Sequence, residues 1–190
     1  MSKPKASRIA VADMTVIALV AVMILVGKTV LRIPIQVSGH AGVLWIAALG
    51  IGRGAVRWPG AATLMALIGG ILVAMMQPSD GGFFFTVAKY LAAGILLDVL
   101  TPLLGGRLDR FLPAIVAGAA AHAGKVAVDL LQGVAAGVPG SVLAFGLTAD
   151  LALHIAFGAL GGLLGALVLR ALTRARIPQM AGLADEGPAR

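Results

Sequence analysis

An apolar segment long enough to cross a membrane, yet charged along one side, leaves few folds open to a chain. Here that segment runs from Phe111 to Val134 and carries His122, Lys125, Asp129 and Gln132. At about 100° per residue these four fall within roughly 80° of one helix face, and Ile115, Val116, Val126 and Leu130 lie largely elsewhere. An ionisable side chain at membrane depth costs about 2.5–3.5 kcal/mol even on lenient insertion scales, so it faces other protein or a wet cavity. The stripe therefore predicts a bundle of several spans around an internal polar site.

Composition agrees. Of 190 residues, 59% are hydrophobic and only 12% charged, with a mean hydropathy of +1.00, far from the balance of a water-soluble domain. The net charge of +7 sits in short clusters between apolar runs, which reads as a topology signal and not as a nucleic-acid surface. With no cysteine there is no disulfide framework, thiolate metal site or catalytic thiol. The basic start, Met1 to Arg8, leads into an apolar run without a small-residue cleavage site, so it is expected to remain as a first helix.

Six spans are predicted in one all-α membrane domain over residues 1–176, followed by a flexible polar tail over 177–190. The first runs from about Ile9 to Leu31 and ends at Arg32, Ile33 and Pro34. Along it Ala12, Thr15, Ala18 and Ala21 recur every third residue, a ridge of small side chains that lets another helix approach, whether a partner's or the chain's own. Residues 32–42, with a fixed-φ proline, Gln36, Ser38, His40 and two glycines, read as a structured loop dipping into the membrane boundary. The second span, Val43 to Ile51, is short unless that loop contributes, and non-helical backbone at such depth must be buried in protein or line a cavity. Ala61 to Met76, Phe83 to Leu104 with Lys89, Tyr90 and Asp98, the striped segment, and Ser141 to about Leu172 with Asp150 and His154 one turn apart complete the six.

Six spans put both termini on one side. Eleven of the 15 Lys and Arg residues fall on that side, two (Lys28 and Arg32) on the other, and two (Lys89 and Lys125) inside spans, so both ends are expected in the cytoplasm. With that orientation Lys89, Lys125, Asp129, Asp150 and His154 gather in the outer half, and Asp13 and Asp98 lie nearer the cytoplasm. A pocket built by the last three helices and roofed by the loop from Pro34 to Gly42 follows.

The polar residues admit two readings. Lys125 and Asp129, spaced i,i+4, form an intrahelical ion pair that offsets insertion cost without doing chemistry, or Lys125 or Lys89 offers its cation to an anionic solute whose donors Asp129, Asp150 and Gln132 accept. His122 reads as a packing or a ligand-touching histidine, and His154 has Asp150 to fix its tautomer. His122, His154, Asp129 and Asp150 match no metal-ligand signature, and two lysines oppose a dication, so no metal and no cofactor is expected. There is no H-E-x-x-H, G-x-S-x-G or phosphate loop, which argues against an enzyme and against ATP hydrolysis by this chain. Three classes stay open: a solute-capturing subunit, a non-transport membrane scaffold, and a small carrier in which Asp129, Asp150 and His154 relay protons.

In its organisation, and locally at Ile33-Pro-Ile-Gln-Val-Ser-Gly-His-Ala41, the chain resembles the substrate-binding S components of energy-coupling factor (ECF) vitamin transporters, loosely the biotin type. The resemblance implies a multi-pass protein of a prokaryotic-type inner membrane that captures a small vitamin-like solute. It also implies a coupling subunit and two ATPase subunits as partners, the lipid bilayer around it, and no nucleic acid. Ala12, Ala18 and Ala21, with Thr15 among them, would form the docking face. Gln36 and His40 would stand over a pocket of Lys89, Tyr90, His122, Lys125, Asp129, Gln132, Asp150 and His154. The sequence departs from the family in having His40 where the biotin-type loop usually has glutamine, and no strict A-x-x-x-A in the first helix.

Overall fold

A computed structural model describes residues 10–30, 37–77 and 81–175. These form six α-helices: α1 (Val11–Val30), α2 (Gly42–Ala55), α3 (Ala61–Met76), α4 (Gly82–Leu103), α5 (Phe111–Ala135) and α6 (Gly140–Arg174). No strand occurs among the described residues. The expected boundaries hold closely, with α3 matching at both ends, because glycine and proline punctuate every turn. Pro113 sits in the first turn of α5, where its missing N–H breaks no intrahelical bond.

Four helices, α1, α4, α5 and α6, are long and apolar enough to cross a membrane. The chain is thus an α-helical protein with the features of a membrane-embedded one. Four such helices stand where six spans are expected, because α2 has 14 residues and α3 has 16, about 21 and 24 Å at 1.5 Å per residue. The shortness of α2 has a local cause. Residues 38–41 fold as a turn, with Gly42 N–H donating to the Gly39 carbonyl at 2.8 Å, and this turn occupies the level at which a full-length helix would begin.

The short α2 is the hub, packed against all five other helices. Its residues Trp45, Ile46, Ala47, Ala48 and Leu49 are buried in succession, so neighbours cover most of its surface, with Leu44 left exposed. Ile17, Val20 and Ile24 of α1, Met65 of α3, Leu97 of α4 and Leu169 of α6 complete the core.

Two rows of glycine on α6 set how closely its neighbours approach. Gly158 and Gly162 face α5, where a methyl group on Gly118 would lie 2.5 Å from the Gly158 carbonyl oxygen. Gly161 and Gly165 face α2, where added methyls would lie 2.8 Å from the Val43 oxygen and 3.3 Å from the Ala47 oxygen. Each row is a small-xxx-small motif, the pattern that brings helix backbones into contact in lipid.

The small residues of α1 do not share a face. A spacing of three drifts by about 60° per step, so Ala21 lies about 180° round from Ala12. Ala12, Thr15 and Ala18 are accordingly exposed, and Ala21 is 1% exposed and packed inward. Ala21 therefore drops out of the expected docking ridge. The expected tail, 177–190, lies outside the described residues.

The end of the bundle where α3 starts is held by polar contacts. Asp98 of α4 accepts hydrogen bonds from the Thr63 N–H at 2.8 Å, the Thr63 hydroxyl at 2.7 Å and the Ala62 N–H at 3.3 Å, so a neighbouring helix caps the start of α3. Arg53 of α2 pairs with the same carboxylate at 2.7 Å. In the connection from α4 to α5, Arg107 grips Asp109 with Nη2 at 2.7 Å and Nε at 3.1 Å, which holds the Asp109 carboxyl below its ordinary range. Arg170 Nε donates to the Asp109 carbonyl at 2.7 Å, and its guanidinium lies 3.6 Å from the Phe111 ring centre.

Candidate functional site

At the opposite end, α4 begins, α5 ends and α6 begins side by side, with Gly81 packed on Gln132 and Gly133 on Leu143. Counted from that end, Lys89 and Asp129 lie about 10 Å deep, Lys125 and Asp150 about 15 Å, and His154 about 21 Å. Helical period turns all five inward and the antiparallel packing brings them to overlapping levels.

They form one continuous ladder. Lys89 Nζ lies 2.6 Å from Asp129 Oδ1, and Lys125 Nζ lies 3.5 Å from Asp129 Oδ2 and 3.2 Å from His154 Nε2. His154 Nδ1 lies 2.8 Å from the Asp150 carbonyl oxygen and 3.6 Å from the Asp150 carboxylate. The Ser38 hydroxyl of the turn before α2 donates to the Asp150 carboxylate. A carbonyl only accepts and an ammonium only donates, so the geometry assigns one tautomer to His154: hydrogen on Nδ1, lone pair on Nε2. In that state both ammonium groups lie against Asp129, Asp150 stands at the far end with Ser38, and the formal charges of the ladder sum to zero.

An aromatic layer adjoins it. The His154 ring lies 4.5 Å from that of His122, which stands edge-on to Trp45 at 5.3 Å, and Trp45 meets Tyr90 edge-on at 5.0 Å. His122 and His154 are fully buried and Tyr90 nearly so. The turn seats on this layer through two glycines. A methyl on Gly42 would strike the His122 ring, and one on Gly39 would press on His154 Nδ1 at 3.3 Å. At Gly39 the backbone also has φ +82°, a conformation that strongly favours glycine there. His122 Nδ1 has no hydrogen-bond partner among the described residues.

Of the residues expected at the site, Lys89, Lys125, Asp129, Asp150 and His154 meet in the ladder, and Tyr90 and His122 join through ring contacts. Gln132 points away, against Gly81, and His40 turns its Nδ1 to the Val37 carbonyl of its own turn at 2.6 Å. Gln36 lies outside the described residues. The intrahelical Lys125–Asp129 pair is present, but the Lys89–Asp129 contact between α4 and α5 is the shorter.

Sequence reasoning overlooked Ser38 and Trp45. Trp45 carried a signal, since a tryptophan inside a short apolar run of a chain with 5% aromatic residues marks a packing centre. Ser38 carried none, because its partner lies 112 residues away. A cavity between the C-terminal half of α5 and the N-terminal part of α6 is lined almost wholly by apolar side chains, including Val126, Leu130, Leu147 and Leu151. None of the ladder residues lines it.

Fold and site together describe an α-helical chain with the features of a membrane-embedded protein and a partly buried ladder of polar side chains whose charges sum to zero. No family model, curated protein or solved structure matches the chain.

Proposed function

We propose that this chain is the substrate-binding subunit of an ECF-type importer, which captures a small vitamin-like solute from outside the cell. In this reading α1 to α6 are six spans with both termini in the cytoplasm, in the inner membrane of a prokaryotic-type cell. A transmembrane coupling subunit and two ATPase subunits supply the energy. The carrying observation is convergence: Lys89, Asp129, Lys125, His154 and Asp150, from three helices, meet beneath a turn that enters the bundle. The short α2 supports the same reading, since it leaves room for that turn.

A solute enters such a site by exchanging partners. Its anionic group takes over Lys125, whose side chain is 30% exposed and whose contacts are the longer ones in the ladder. One observation favours the second reading, a scaffold without a solute: Lys89 and Lys125 already share Asp129, and Asp150 already has Ser38. Purification of the protein alone, followed by mass spectrometry of the small molecules it carries, separates the two. A stoichiometric small solute supports capture, and an empty protein that binds none of a panel of vitamins in calorimetry supports the scaffold. On the capture reading Lys125→Ala weakens binding by about 2 kcal/mol or more. Equal affinity in the same titration removes Lys125 from the site.

A further inference from the structure

The ladder ends on the turn, and the turn is held by a carboxylate that has a second suitor. Asp150 accepts from Ser38 on one side, and its carboxylate lies 3.6 Å from His154 Nδ1 on the other. With His154 neutral, Nδ1–H spends itself on the Asp150 carbonyl at 2.8 Å and Nε2 receives Lys125. We propose that His154 is a protonation site that releases the turn at residues 38–41, by moving Lys125 to Asp129 and drawing the Asp150 carboxylate away from Ser38.

The step is a single proton uptake. A proton from the aqueous phase bonds to the Nε2 lone pair, and no covalent bond of the protein breaks. Nε2 then becomes a donor facing a second donor, the Lys125 ammonium at 3.2 Å, and that contact turns repulsive. Lys125 has an alternative acceptor in Asp129 Oδ2 at 3.5 Å on its own helix. The new imidazolium attracts the Asp150 carboxylate more strongly than a serine hydroxyl does, since its full positive charge adds a Coulomb attraction that an uncharged donor lacks. Ser38 loses its acceptor, and the turn loses its polar tie to α6.

The charged and titratable surroundings are consistent with this exchange. α4 contributes Lys89 and Tyr90, α5 contributes His122, Lys125 and Asp129, α6 contributes Asp150, and the turn contributes His40. Lys28 of α1 acts on His122 through space, and α2 adds only the uncharged Trp45. α3 has no ionisable side chain between Ala61 and Met76. Lys89 stays on Asp129 throughout, which leaves Lys125 and Asp150 as the groups that exchange partners. The device stands apart from solute capture, because it acts on the turn whether or not the site takes a ligand.

The absence of cysteine makes the test site-specific. Val37→Cys, at an exposed position beside the turn, carries a nitroxide label in the full chain in detergent micelles. Between about pH 8 and about pH 4, its mobile spectral fraction rises about twofold or more. On the Val37→Cys background, His154→Gln and Asp150→Asn each flatten that response, and Ser38→Ala is mobile at both ends of the range. A flat profile in the labelled parent overturns the proposal. So does the parent's pH response persisting in either His154→Gln or Asp150→Asn, so that loss of fold in one variant leaves the other decisive.

Discussion

Asp98 is a single side chain on which three elements depend. It caps the start of α3, pairs with Arg53 of α2 and belongs to α4. Arg53 and Asp98 have only 11% and 9% of their side chains exposed, so removing the carboxylate leaves a nearly buried guanidinium and open N–H groups. Asp98→Ala is expected to destabilise the fold by about 3 kcal/mol or more, read by denaturant or thermal unfolding in micelles. Asp109 is expected to act through pH. Its carboxyl is held low by the Arg107 hydrogen bonds, so the folded protein gains from the charged form. That gain is full above the unfolded value near pH 4 and disappears as pH falls through the lower folded value. Arg107 is half exposed, which keeps the gain within about 1 kcal/mol. Comparing Asp109→Asn with the parent checks the sign: their stabilities differ at pH 7 and converge in acid. At this scale the sequence was informative wherever partners share a helix, as with Lys125 and Asp129 or Asp150 and His154. It was silent on Lys89 with Asp129, because sequence shows which charges are deep but not which helices meet.

Among the elements, α1 shows how far periodicity carries. Apolar length and small residues were legible in its sequence, and its face was not, because three residues per step is not the period of a helix. Ala18 and Ala21 thus separate two kinds of failure. Ala18→Trp projects outward, keeps the fold within about 0.5 kcal/mol of the parent, and on the importer reading blocks uptake in cells without changing solute binding. Ala21→Trp fills a buried position and costs about 3 kcal/mol or more in unfolding measurements, whatever the protein's role. Unchanged uptake with Ala18→Trp argues against a docking face on α1. The paired glycine rows of α6 were there to be read as well. Residues 158, 161, 162 and 165 spell two overlapping small-xxx-small patterns, and the assignment of one row to α5 and the other to α2 needed coordinates.

Taken as one molecule, the protein keeps its deep charges in balance, and this makes single and double substitutions behave differently. Lys89→Met leaves the Asp129 carboxylate with Lys125 alone at 3.5 Å, and Asp129→Leu leaves two ammonium groups without their shared acceptor. Each single change is expected to cost about 3 kcal/mol or more, and the double change less than Asp129→Leu alone, a non-additivity that unfolding measurements on all four proteins quantify. The overall class of the chain, its helix count and most of the ladder's members were readable because hydropathy and helical spacing are local. The order in which those members touch depends on contacts between α4, α5 and α6, which no window of sequence contains.

The balance also bears on how the chain is made. Lys89 leaves the ribosome 40 residues before Asp129, the carboxylate it meets at 2.6 Å. A nascent chain ending in the turn after α4 has an ammonium in its last span whose counter-charge has not yet been synthesised. If the fourth helix spans a membrane, the arrival of the fifth is expected to offset the insertion cost of that ammonium, about 2.5–3.5 kcal/mol on the lenient scales.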